Sequence, residues 1–157
     1  MSSSGITMKK ASEKDVPMIL QLMLRLKKLN EEFDPLFKVR EDADAAGEKY
    51  LRDAMKSGAS LVVVAEKEGR IVGVAKADIR QRTFYEPRME GRIVDLYLLP
   101  EYRRKALGQK IIDFVVESLK KEVGIVTVEF PSANKIAERF YTKLGFRPVL
   151  SNYVKGD

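Results

Sequence analysis

Asp95-Leu96-Tyr97-Leu98-Leu99-Pro100-Glu101-Tyr102-Arg103-Arg104-Lys105-Ala106-Leu107-Gly108-Gln109-Lys110 changes character twice within a few turns of chain. The apolar run to Leu99 reads as a strand, and Pro100 cannot continue a central ladder. A short basic loop follows. From Ala106 the apolar residues recur at helical spacing, with Leu107, Ile111, Val115 and Leu119 on one face and Ile112 and Val116 beside them. The first N–H groups of such a helix have no partner within it and carry the positive end of its dipole. An anion is stabilised there, small residues at Ala106 and Gly108 leave the backbone approachable, and Arg103, Arg104 and Lys105 add the countercharge that a pyrophosphate needs. A solvated strand-to-helix turn has the same composition, so the loop alone leaves both readings open. The phosphate-loop pattern G-x-x-x-x-G-K-[ST] and a G-x-G-x-x-G after a strand are both absent, which argues against an NTPase and a nicotinamide enzyme.

Outward from this stretch the elements fall into order. Upstream, Leu61 to Ala65 is a β-branched run, Glu68-Gly69-Arg70 is a hairpin signal, and Ile71 to Arg82 is the returning strand. Before them, Ile6 to Lys10 reads as a strand and Ser12-Glu13-Lys14-Asp15 as a capping box opening a helix that reaches Asn30. A second helix spans Asp42 to Lys56, with Gly58 as its expected left-handed cap. Downstream, Ile125 to Phe130 is a strand. Ala133 to Leu144 is a helix with Ile136, Ala137, Phe140, Tyr141 and Leu144 inward and Gly145 as its cap, and Phe146 to Lys155 predicts one or two closing strands. The order β-α-α-β-β-β-α-β-α-β predicts one α+β domain over residues 6–157, with the first five residues set aside as a flexible tail.

Composition narrows the chemistry. The chain of 157 residues is 45% hydrophobic and 33% charged, as in a water-soluble globular protein. No run approaches the roughly 20 apolar residues of a membrane span, so no membrane partner is expected. It contains no cysteine and no histidine. A Ser-His-Asp triad, a Cys-His pair and any ordinary zinc site therefore lack their essential residues, and proton transfer falls to Asp, Glu, Tyr, Lys or water. The lack of cysteine fits a reducing compartment, and the location expected is cytoplasmic. A formal charge of +6 favours an anionic partner. The charged stretch Lys76 to Arg92, with Phe84 and Tyr85, could touch nucleic acid, but a solvated hairpin is the simpler reading and nucleic acid is not expected.

The residues Arg103-Arg104-Lys105-Ala106-Leu107-Gly108 resemble the signature [Q/R]-x-x-G-x-[G/A] of the GNAT N-acetyltransferase superfamily, preceded by its Asp-Leu-Tyr-x-x-Pro-x-Tyr-Arg strand. The departure is Ala106, where the family usually carries glycine; alanine can adopt helical geometry, at the cost of a methyl facing the pyrophosphate. Asn134 to Phe146 resembles the family's N-x-x-A-x-x-F-Y-x-x-x-G-F at the expected distance downstream. The resemblance covers nearly the whole chain. It implies an α/β/α sandwich around a mixed, mostly antiparallel sheet whose fourth and fifth strands splay apart.

The resemblance further implies acetyl-CoA as cosubstrate and direct attack by a primary amine, without an acyl-enzyme. The implied cofactor-binding residues are Leu96, Tyr97 and Leu98 for the pantetheine arm, with a backbone N–H near Leu98 for the acetyl carbonyl. Arg103, Arg104, Lys105, Ala106, Leu107, Gly108 and Gln109 would hold the diphosphate, and Asn134, Ala137, Phe140 and Tyr141 would line the cofactor from the last helix. Tyr141 is the implied acid beside the sulfur; as an isolated residue it would read as core. Asn134 could equally be a helix-start residue serving local backbone. Asp95, the one acid in the strand Ile93 to Leu99, is a candidate base or a cap on neighbouring backbone; Glu129 and Glu90 are further candidates. Glu31, Glu32 and Asp34 could draw a cationic amine, or form a solvated helix end. The acceptor, a small molecule or a peptide or protein amine, is not readable. A C-terminal strand paired across chains would make a homodimer. The competing reading is a non-catalytic acyl-CoA-binding module or sensor, favoured only by Ala106.

Overall fold

A computed structural model describes residues 5–103 and 106–156. The expectations for Arg104 and Lys105 lie outside the described residues. In chain order the elements are β1 (Ile6–Lys10), α1 (Val16–Asn30), α2 (Ala43–Lys56), β2 (Ser60–Lys67), β3 (Arg70–Gln81), β4 (Met89–Leu98), α3 (Leu107–Leu119), β5 (Ile125–Val128) and α4 (Lys135–Lys143). The sheet order is β1-β2-β3-β4-β5, antiparallel from β1 to β4, with β5 parallel to β4. This is the mixed α+β sandwich expected.

Helices α1 and α2 pack on one face of the sheet and α3 on the other. The interior strand β2 is consequently buried on both sides from Leu61 to Ala65, which is why it reads as an unbroken apolar run and not as an alternation. The hairpin between β2 and β3 turns on Glu68 (φ 52) and Gly69 (φ 76), successive positive dihedrals that match the twist of the strands. At the start of α1, the Asp15 carboxylate accepts the Ser12 N–H at 2.9 Å, closing the capping box.

Several expectations are corrected. Gly58 is not a left-handed cap: α2 ends because Ser57 turns to an extended conformation (φ −92, ψ 132), and its hydroxyl accepts the Ala59 N–H at 3.0 Å. Ile136 is not inward; it is 75% exposed on the outer side of a nine-residue helix shorter than predicted. No closing strand forms, and residues 147–156 are exposed without regular structure.

The feature that shapes the site is a β-bulge. Lys76 opposes Asp95 while Ala77 opposes Ile93, so Val94 is an extra residue on β4. A bulge bends its strand and sharpens the local twist. β5 follows β4 only as far as the Ile93–Val128 pair, and the last bond between them runs from the Glu129 N–H to the Ile93 carbonyl at 3.0 Å. Beyond that fork β4 has no β5 partner among the described residues.

Candidate active site

The opened edge of β4 has a definite polarity. The Leu99 N–H donates to the Val72 carbonyl at 3.0 Å, and Leu98 lies opposite Gly73. In an antiparallel ladder backbone groups alternate between the two edges. Leu99, Tyr97 and Asp95 therefore turn their backbone to β3, while Leu98 and Leu96 turn theirs into the gap. Of the backbone expected to meet a pantetheine arm, Leu96 and Leu98 face the opening and Tyr97 does not. Arg103 folds back over this end: its Nε donates to the Leu98 carbonyl at 3.0 Å, and its guanidinium sits 5.1 Å from the centre of the Tyr97 ring.

Next to the gap, α3 presents its amino terminus. The first backbone bond closing the helix joins the Lys110 N–H to the Ala106 carbonyl at 3.2 Å, and no side chain caps this end. The N–H groups of Leu107, Gly108 and Gln109 are thus without a partner inside the helix, a donor set suited to a diphosphate. Ala106 itself is left-handed (φ 57, ψ 16), not helical as expected. That conformation is costly for an L-residue and free for glycine. Ala106→Gly is expected to raise stability by about 0.5–1 kcal/mol, the relieved strain less the added freedom of the unfolded chain; a urea titration measures it. Gly108 has a different reason from the one expected. A Cβ there would lie 3.1 Å from Phe140 Cζ and 3.5 Å from Leu98 Cδ1, so this glycine lets the Phe140 ring pack against the first turn of α3.

Helix α4 is a device for holding Tyr141. Asn134 is its N-cap: Oδ1 accepts the Ala137 N–H at 3.0 Å, which commits that oxygen to the helix and not to a ligand. At the other end Gly145 (φ 96) makes a Schellman turn, in which the Phe146 N–H bonds the Tyr141 carbonyl at 3.0 Å and the Gly145 N–H bonds the Thr142 carbonyl at 3.0 Å. The apolar contact that accompanies this turn is Phe146 on Tyr141, ring centres 5.5 Å apart; Phe140 and Phe130 flank the same ring at 4.9 and 5.5 Å. Burial holds the phenol pKa well above the usual tyrosine value, and the negative charge of Asp95 adds to the effect. The Tyr141 hydroxyl bonds no described residue. No unpaired polar side-chain atom among the described residues is fully buried, so this oxygen opens onto accessible space.

The acids are mostly committed. Asp95, its side chain only 1% exposed, is ion-paired with Lys27 of α1 at 2.5 Å and lies 3.4 Å from the Tyr50 hydroxyl of α2. Glu90 meets Arg92 and the Thr127 hydroxyl. Burial pushes the Glu90 pKa up, but those two hydrogen bonds outweigh it and the net direction is down. Glu129 is half-exposed at the fork, with Arg92 Nη1 at 3.6 Å. Away from the gap, Glu31 accepts the Val39 N–H at 2.8 Å and Asp34 the Leu36 N–H at 2.9 Å, so both hold their own loop. The sequence reading missed Lys27, Tyr50 and Lys76. Lys76 belongs to the stretch read as a solvated hairpin, yet it is 3% exposed, paired with Asp78 and 4.5 Å from the Tyr50 ring centre.

The sheet thus forks at a bulge, with a helix amino terminus beside the fork and, on the helix that follows it, a phenol that bonds no described residue. The chain belongs to the acetyltransferase (GNAT) family, whose profile matches residues 25–146. It is therefore an acetyltransferase by class, and the non-catalytic alternative is not favoured. An uncharacterized N-acetyltransferase of Archaeoglobus fulgidus is 30% identical over 100 residues, 63% of this chain and 66% of the relative. Solved structures repeat the fold: a predicted acetyltransferase from Clostridium acetobutylicum with acetyl-CoA, at 17% identity and TM-score 0.78, matches over 97% of this chain and 96% of its own length. An aminoglycoside acetyltransferase from an uncultured soil metagenomic sample, in complex with sisomicin, matches over 100% of both chains at 20% identity and TM-score 0.73. Among the described residues no helix is long and apolar enough to cross a membrane.

Proposed function

We propose that this protein acetylates a small-molecule primary amine, with Tyr141 as the general acid. The observation that carries the reading is the free Tyr141 hydroxyl, held by three aromatic rings on the helix that follows the fork. Acetyl-CoA supplies an activated acyl group whose carbonyl carbon bonds the amine nitrogen as its carbon–sulfur bond breaks. The residues present fit it: the unpaired N–H groups at the start of α3 hold the diphosphate, and the backbone of Leu96 pairs with the pantetheine arm. The Leu98 N–H donates to the acetyl oxygen as negative charge develops there. The Tyr141 O–H gives its proton to the departing sulfur. The proton lost by the amine passes to Glu129, the least committed carboxylate at the fork; Asp95 is engaged by Lys27, and its negative charge favours the neutral form of Tyr141.

The small-molecule class is supported by the aminoglycoside acetyltransferase that shares the fold; a peptide or protein amine is the alternative acceptor. A cytoplasmic site of action and assembly as a pair of identical chains belong to the same proposal. The direct test is CoA release with a panel of aminoglycosides, polyamines, amino acids and peptides, followed with a thiol reagent. The protein has no cysteine of its own, so the signal belongs to CoA alone. Release with no acceptor in the panel would overturn the reading. A second expectation concerns pH. A Tyr141 pKa above its usual value of roughly 10 keeps the acid protonated throughout the neutral and mildly alkaline range. The rate is therefore expected to climb as the acceptor amine loses its proton and to show no falling limb before about pH 10. A falling limb at lower pH in a pH–rate profile would assign the acid to another group.

A further inference from the structure

The bulge at Val94 sets Asp95 opposite Lys76, and the side chains of both turn to the face of the sheet that α1 and α2 cover. Lys27 of α1 meets one carboxylate oxygen of Asp95, and the Tyr50 hydroxyl of α2 lies 3.4 Å from the other. The Lys76 ammonium sits 4.5 Å from the centre of the Tyr50 ring. Tyr50 is thus held at its ring and at its hydroxyl, yet it remains 42% exposed, so it walls the approach to the fork and is not part of the core. Its hydroxyl has a capacity left over. A phenol donates one hydrogen bond and accepts through its lone pairs. The Tyr50 proton is turned to Asp95, and no described residue donates to its oxygen. Burial and the negative charges of Asp95, Asp78 and Glu129 hold this phenol above the ordinary tyrosine value, so it stays an O–H. Glu129, whose N–H closes the last bond of the fork, is therefore within electrostatic reach of the same hydroxyl.

We propose that Tyr50 selects primary over secondary amines as acceptors, its oxygen accepting the one N–H that the attacking nitrogen keeps. This rests on the acetyl-transfer reading above and names the residue that orients the acceptor within it. The departing sulfur is served by Tyr141, whose neighbour Phe140 packs on the first turn of α3, the helix on the other face of the sheet. The amine accordingly enters from the face of α1 and α2, past Tyr50. A neutral primary amine brings one lone pair and two N–H groups. The lone pair forms the bond to the thioester carbon as the carbon–sulfur bond breaks. One proton passes to Glu129, and the other stays on nitrogen as the amide N–H, for which the Tyr50 oxygen is the waiting acceptor. A secondary amine has a single N–H, which it must give up, and it sets a carbon against Tyr50 in place of a hydrogen. The phenol lone pair then faces an apolar group and the hydrogen bond is lost. A site that bonds a substrate N–H rejects the analogue lacking it more firmly than size alone would.

The test compares propylamine, tyramine, glycinamide and any better acceptor from the panel with their N-methyl derivatives, by CoA release, on the whole chain and on Tyr50→Phe. In the unaltered protein kcat/KM should favour each primary amine that is turned over. In Tyr50→Phe that preference should fall about tenfold, through a slower primary amine, the loss expected for one hydrogen bond. The ratio is taken within one protein, so any loss of folded enzyme cancels. Phenylalanine keeps the ring beside Lys76, and the KM for acetyl-CoA and the urea midpoint should both hold. A preference that survives Tyr50→Phe overturns the selection and leaves acetyl transfer standing. If the urea midpoint falls while the preference survives, Tyr50 is only a structural lid on the Asp95–Lys27 pair, and the selection is overturned as well. No turnover of any primary amine in the panel by the unaltered protein overturns the acetyl-transfer reading, and the selection falls with it.

Discussion

Tyr141→Phe is expected to lower kcat by about 100-fold or more, the range for loss of a positioned general acid, with the KM for acetyl-CoA changed by less than threefold. The split follows from the packing. The ring of Tyr141 touches Phe130, Phe140 and Phe146, and phenylalanine keeps every one of those contacts. The hydroxyl bonds no described residue, so its removal leaves no partner stranded and folding should be unaffected. What disappears is the proton for the departing thiolate. A substrate with a better leaving thiol, such as an acyl-CoA analogue carrying an electron-withdrawn sulfur, should recover much of the loss, because a less basic sulfur has less need of an acid. Steady-state kinetics with both donors measures this. An unchanged kcat removes Tyr141 from the mechanism, and a raised KM alone makes it a binding residue.

The same tyrosine shows why so much of the site was legible in the sequence. Asn134, Tyr141, Gly145 and Phe146 stand at the N-cap, the C3 position, the left-handed C′ and the residue after it, all on one short helix. Their spacing is set by local backbone geometry, which a sequence carries directly. The strand-to-helix turn at Ala106 is likewise local, although its left-handed dihedral is not announced by alanine as it would be by glycine. The bulge at Val94 was not legible, because it exists only relative to the partner strand β3. The burial of Lys76 depends on Tyr50 and Asp78, brought to it by α2 and by the pleat of β3. The C-terminal segment has the composition of a strand, and composition is all a sequence offers there. A ladder needs a neighbour, and within this chain none is paired with it.

The Lys27–Asp95 pair carries the other large expectation, which turns on an asymmetry of burial. The Asp95 side chain is 1% exposed and the Lys27 side chain 44%. Lys27→Met strands a carboxylate inside the protein, with only the longer Tyr50 contact left to it. Breaking a fully buried pair costs roughly 3–5 kcal/mol, and the half-exposed lysine brings the expected loss down to about 2 kcal/mol. Asp95→Asn should cost far less, since the lysine it releases already reaches water. The double variant should therefore be more stable than Lys27→Met alone, and a double-mutant cycle by urea unfolding should give a coupling of about 1–2 kcal/mol. Equal losses in the two single variants would mean that the pair is solvated and its position incidental. Activity separates the remaining roles of Asp95. If its charge only biases Tyr141 toward the neutral phenol, Asp95→Asn should keep kcat within about tenfold and shift the alkaline side of the pH profile downward, because the field opposing phenol ionisation is gone. A fall of 100-fold or more with no such shift would instead make Asp95 the group that takes the proton from the amine, and Glu129 a bystander at the fork.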